Sequence, residues 1–174
     1  MHLDQTQLVY AFGNPLVDDW NLTHPQPMSL AACTECANRL LCACGGHPVK
    51  VTDGELTPQI SADLMSGRRH RIPAQGSADR LWLPQWARNP IVIIHEACHA
   101  LFQQHGDFTE DHGPRFVRLF LELLSRHQGF DLPSLLGSVQ AAGISVAPLS
   151  AISSFLAGTP YPLSSTLPFG MLET

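Results

Sequence analysis

Charge is scarce in this chain, and positive charge scarcer still. Only 14% of the 174 residues are Asp, Glu, Lys or Arg, and ten Lys and Arg face fifteen Asp and Glu, for a formal net charge of −5. A polyanionic partner held by global electrostatics is excluded on that balance, so nucleic acid is not an expected partner. No stretch approaches twenty uninterrupted apolar residues, which excludes a membrane-spanning helix. The opening Met1-His2-Leu3-Asp4-Gln5 lacks both the basic and the apolar region of a cleaved export signal, so a cytoplasmic location is expected. Five cysteines are an odd number, which fits reduced thiols better than a disulfide framework. Apolar residues, by contrast, make up 44% of the chain. At this length they predict a compact domain with a sizeable core.

Local patterns divide the chain into strands first and helices later. Leu8-Val9-Tyr10-Ala11-Phe12 is rich in strand formers and is followed by Gly13-Asn14-Pro15, which reads as a strand and its stop. Ser29 is placed to N-cap a helix from about Leu30 to Cys44, closed by Gly45-Gly46. Pro48 to Thr52 reads as a second strand. Arg69 to Ile72 and Arg80 to Leu83 read as a hairpin around a Gln75-Gly76-Ser77 loop. Leu56 to Gly67 gives no clear pattern. Asn89-Pro90 starts a helix that continues to about Gln104, and another opens at Asp111 or His112 with Gly113-Pro114 in its first turn. A short third helix spans Leu132 to Ala142. The expectation is an α+β domain over residues 1–147, with a small sheet of three to four strands packed on the Pro90 helix and two further helices behind it. Residues 148–174 read as a loosely packed or disordered tail rich in Pro and Ser.

One pentapeptide specifies chemistry: His95-Glu96-Ala97-Cys98-His99, directly after the apolar run Ile91 to Ile94. Residues four apart on a helix lie one turn above each other, so both imidazoles leave from one face. Two neutral imidazoles so placed can hold a zinc ion, and the Glu between them can serve as general base toward a water on the metal.

A catalytic zinc takes a third protein ligand, and three candidates compete. His105 sits six residues after His99, the spacing of the metzincin pattern. That pattern needs a helix-breaking Gly where this chain has Phe102. On an unbroken helix His105 lies roughly 120° around from His99 and misses the metal. Glu122 stands at a gluzincin-type spacing, but it reads more simply as the solvent face of an amphipathic helix. His112 begins His112-Gly113-Pro114-Arg115-Phe116 at the head of the next helix. A helix–loop–helix hairpin of that length returns the second helix beside the first, and His112 is the favoured third ligand.

Trp86-Ala87-Arg88, Ile91 to Ile94, His95-Glu96-x-x-His99-Ala100-Leu101 and His112-Gly113-x-x-Phe116 resemble the SprT-like zinc metallopeptidases. They resemble still more a family of small zincin-type metallohydrolases. The likeness extends over roughly Gln7 to Val146, and only the block from His95 to Phe116 is specific. It implies a zincin-like fold, a Zn²⁺ ion and hydrolysis, with His95, His99 and His112 as ligands and Glu96 as the catalytic acid/base. A peptide or protein is the expected substrate. The contrasting expectation is a non-catalytic zinc-binding structural or interaction protein.

Two further clusters invite a function. Cys33, Cys36, Cys42 and Cys44 contain a C-x2-C and a C-x-C, with His47 nearby, and could in principle hold a second metal. The intervening sequence reads as one continuous helix, however, which favours buried free thiols. Arg68-Arg69-His70-Arg71 could contact phosphates, as a DNA-associated SprT-like protease would require, but a short basic run is more simply a solvated turn. His24, His47, His70 and His127 have no partner spacing and read as surface or capping residues.

Overall fold

The computed structural model describes residues 5–54, 57–67 and 72–157. Seven helices and a three-stranded sheet are found among these residues. In chain order the elements are α1 (Thr6–Thr23), α2 (Leu30–Ala43), β1 (Lys50–Thr52), α3 (Pro58–Met65), β2 (Gln75–Gly76) and β3 (Arg80–Trp82). They continue with α4 (Pro90–Gln104), α5 (Pro114–Gln128), α6 (Leu132–Ala141) and α7 (Ser153–Leu156). The mixed α+β class is as expected. The sheet has the order β1-β3-β2, with β1 parallel to β3 (Val51 opposite Leu81) and β2 antiparallel to it (Gly76 opposite Leu81).

Helix α4 is the centre of the core. Eleven of its fifteen residues are buried, including the whole Ile91–Ile94 run. Such a helix packs on every side: α2 and the sheet lie against it, and α5 runs alongside. Its start is fixed as the sequence suggests, with Pro90 in the first turn and the Asn89 side chain accepting a hydrogen bond from the Val92 amide at 3.0 Å. Ser29 caps α2 in the same way, through Ala32 N–H at 3.1 Å. At the other end of α4, Gln104 donates to the carbonyls of His47 (3.0 Å) and Ala78 (2.7 Å). It thereby ties the loops before β1 and β3 to the helix.

The chain departs from expectation in three places. The Leu8–Phe12 segment is helical, because a period near 3.6 runs through it and beyond. Val9 and Val17 are buried, and Phe12, Leu16 and Trp20 pack on the core at helical spacing. Gly13-Asn14-Pro15 does not stop α1. Pro15 lies on its exposed side, where the helix loses one backbone hydrogen bond to solvent. Gln75-Gly76 is a strand, and the hairpin turn lies at Ser77–Asp79, where Ser77 N–H donates to the Arg80 carbonyl at 2.8 Å. Finally, residues 149–156 pack closely: Ile152, Phe155 and Leu156 are buried, and Phe155 meets Phe102 edge-on at 4.9 Å. The rest of that C-terminal segment and the Arg68–Arg71 cluster fall outside the described residues. No helix among those described is long and apolar enough to cross a membrane.

Candidate metal centre

His95 and His99 leave α4 one turn apart, and α5 returns antiparallel to deliver His112 from the residue before its N-cap. The hairpin ends of α5 explain how His112 is held. Gly113 offers no capping side chain; instead the Glu110 carboxylate accepts from the amides of Arg115 (2.8 Å) and Phe116 (3.2 Å). A Cβ on residue 113 would stand 2.5 Å from that carboxylate, so the cap and the glycine require each other. Asp107 accepts from Arg115 Nη1 at 2.6 Å and from the Thr109 and Glu110 amides, which fixes the loop.

The three imidazoles converge. Nε2 of His95 and Nε2 of His112 stand 3.1 Å apart, and one nitrogen of each of the three rings lies within 4.8 Å of the others. Two nitrogens sharing one tetrahedral zinc at about 2.0–2.1 Å would be roughly 3.3 Å apart; the His95–His112 pair stands near that spacing, and His99 lies close enough that the three could hold one ion. Phe116 backs all three rings, at 4.5 Å from His99, 4.9 Å from His112 and 5.0 Å from His95. In this apolar setting His95 and His99 stay neutral, as ligands must. Burial, followed by the neighbouring imidazoles, holds His95 well below its ordinary pKa; burial and then His112 bring His99 down to about 4. Asp111 works in the opposite sense on His99. Its carboxylate lies 3.1 Å from Nδ1 of His112 and 3.8 Å from Nδ1 of His99, the position from which a carboxylate orients metal-binding imidazoles.

Glu96 is buried, at 5% exposure. Burial pushes its carboxyl up to about 8, the Asp111 charge adds to this, and a hydrogen bond from the Gly76 backbone opposes it. A carboxyl so poised is suited to proton transfer near neutrality. The Gly76 contact is close: a Cβ there would stand 2.2 Å from the Glu96 carbonyl oxygen. Only glycine therefore lets β2 lie this near α4 at Glu96.

The other candidates are placed elsewhere. α4 runs unbroken through Phe102, and His105 turns away to bond the Leu101 carbonyl through Nδ1 at 2.8 Å and to pack on Phe155 at 4.8 Å. Glu122 is neither a ligand nor solvent-facing. It is 2% exposed and lies between Arg118 (2.8 Å) and Arg126 (3.5 Å), a buried ion pair that the amphipathic pattern did not reveal. The cysteines do not converge: Cys33 and Cys44 are buried, Cys36 is half-buried and Cys42 is exposed, and all are free. The histidine triad is the sole metal-competent group of three or more found among the described residues. His24 stacks on Trp20 at 4.2 Å, and His127 is half-buried on α5.

Sequence reasoning missed Tyr10. Its ring lies 5.0 Å from that of His112 and 5.8 Å from that of His95. Reading Leu8–Phe12 as a strand hid the fact that α1 carries Tyr10 to the triad.

In comparisons with protein-family models, curated proteins and solved structures, nothing matches this chain. The centre therefore stands on its geometry: three histidines that could hold a metal ion, with a buried glutamate beside them.

Proposed function

We propose that the chain is a zinc-dependent hydrolase of the zincin type that cleaves peptide bonds. The observation that carries this reading is the convergence of His95, His99 and His112 with the buried Glu96 between two of them on α4. An all-imidazole set of three suits zinc, and three protein ligands are the number that leaves a position for chemistry. Bound there, the ion would supply Lewis acidity, which makes water nucleophilic near neutral pH and polarises a carbonyl. Glu96 would take a proton from the attacking water and pass it to the leaving amine. Its elevated pKa makes Glu96 the stronger base for the first half of that exchange. A nearby cation, by drawing the pKa down, would keep the carboxylate ionised beforehand and ease release of the proton in the second. The Asp111 carboxylate, 3.1 Å from Nδ1 of His112 and 3.8 Å from Nδ1 of His99, would orient these rings toward the ion. The rings of Tyr10 and Phe116 pack against the imidazoles, at 5.0 Å from His112 and 4.5 Å from His99.

The competing reading, a closed structural metal site, needs a fourth protein ligand. His105 was the residue for that role, and its ring is engaged with Leu101 and Phe155 instead. The test is metal content by elemental analysis, followed by turnover of a generic peptide library by wild type and Glu96→Gln. The expected result is one zinc per chain in both, with turnover reduced by about 10²–10⁴-fold in the variant. Equal turnover in the two proteins, or none in a zinc-loaded wild type, refutes the peptidase.

A further inference from the structure

A cavity of about 470 Å³ lies beside the metal centre, with His95 and Glu96 forming part of its wall. This is within the range of about 300–1,000 Å³ typical of sites that enclose a small ligand or a large side chain. Its roof is the middle of α1, and its floor is the first turn of α4 together with Phe120 of α5. The roof is pinned at both ends. At the start of α1, buried Gln5 exchanges two hydrogen bonds with the Ser145 backbone, at 3.0 and 2.8 Å. Toward its end, Asn21 donates to the Trp86 carbonyl at 3.4 Å. Between these anchors α1 spans the cavity without filling it.

The lining is uncharged apart from Glu96 itself. Val9, Val17, Ile91, Val92 and Phe120 supply buried apolar surface, and the polar side chains of Gln7 and Asn14 are on exposed residues. Gly13 is the decisive position. It falls midway between Val9 and Val17, four residues from each, on the same stripe of α1. A Cβ added to it would meet nothing within 4 Å. A glycine inside a helix costs about 0.5–1 kcal/mol relative to alanine, and here its effect is to leave the cavity open where any side chain would enter it.

We infer that this cavity is the specificity subsite of the proposed hydrolase, taking an uncharged apolar side chain, up to aromatic size, next to the bond that is cut. The inference rests on the hydrolase reading for its place in a reaction, but the recognition itself can be measured without turnover. Burial of an aromatic group in such a lining favours it over a bare backbone by at least about tenfold in affinity. A carboxylate side chain is disfavoured, because the lining offers no cationic side chain to offset its desolvation.

The test uses the zinc-loaded full chain and the hydroxamates of phenylalanine, glycine and glutamate, with binding measured by calorimetry. In wild type the phenylalanine compound is expected to bind at least about tenfold more tightly than the glycine compound, and the glutamate compound no better than glycine. Gly13→Leu should reduce the phenylalanine advantage to less than about threefold while leaving glycine hydroxamate unaffected, and Gly13→Ala should fall between. A thermal melt of each variant separates a filled cavity from a damaged fold. Equal binding of all three compounds by wild type overturns the inference, as does failure of all three to bind. It is likewise overturned by a phenylalanine advantage that survives Gly13→Leu, or by a uniform loss across the three compounds in a stably folded variant. If the discrimination is found but no peptide is cut, the subsite stands as a binding pocket and the peptidase alone fails.

Discussion

Among the described residues, two helices carry side chains of the kinds that metals take, and only one of them sets such side chains where a single ion could be held. On α4, His95 and His99 share a face, and α5 returns to bring His112 within 3.1 Å of His95. On and just after α2, four cysteines occur within twelve residues, yet they point to different environments, from fully buried to exposed. Burial pushes Cys33 up to about 11 and Cys36 and Cys44 up to about 12, away from the thiolate a metal requires. Burial has the opposite consequence at the triad, where it removes the proton from an imidazole and leaves the ligand form. The same low-dielectric surroundings thus prepare histidines for a cation and disarm cysteines.

The comparison breaks most decisively on metal content. His112→Ala is expected to weaken zinc binding by more than about a hundredfold, exceeding the 10–100-fold seen when an orienting partner is lost. Cys36→Ser with Cys42→Ser should leave the stoichiometry at one. A metal count that falls in the cysteine variant would show that α2 also holds an ion. Next in size is Asp111→Asn, expected to weaken zinc by about 10–100-fold in chelator competition with the fold unchanged; an unaltered affinity would remove Asp111 from the centre.

The pH dependence of the metal-free protein is a finer measure. Between about 4.5 and 6.5, unfolding lets His95 and His99 take up protons while Glu96 releases one, so the unfolded state binds more protons in sum and stability rises with pH. From about 6.5 to 8 only Glu96 matters; it is still protonated when folded, and stability falls. Denaturant titrations should therefore give a maximum near pH 6.5. In Glu96→Gln the alkaline decline should vanish and the acid limb should steepen, and an unchanged profile would contradict the burial of Glu96. The smallest effect is expected in thiol labelling. Exposed Cys42 should react at once, while Cys33, Cys44 and Cys98 wait for local or global opening. Rapid labelling of all five would mean that α2 is not packed as described.

Much of the centre was legible because its information is local. A four-residue spacing sets two imidazoles on one helical face, Asn89-Pro90 fixes where that helix begins, and Phe102 in place of a glycine keeps it straight past His105. His112 was legible from the length of the hairpin. Tyr10 was not, because a run of β-branched and aromatic residues favours a strand locally, and only its neighbours Leu16, Val17 and Trp20 show the helical period. Glu122 misled for a related reason: the pattern gives the helix face, while its burial and its pairing with Arg118 and Arg126 are set by how the helix packs.

The sequence by itself determined that His95, Glu96 and His99 share one helix and that both imidazoles leave from one face of it, since each depends on contacts within one or two turns. The tertiary structure alone decided that α1 roofs a cavity beside Glu96, that Gly76 admits β2 against α4, and that residues 149–156 close the core over Phe102. These are encounters between segments distant in the chain, governed by packed volume and close approach, and no local periodicity encodes them.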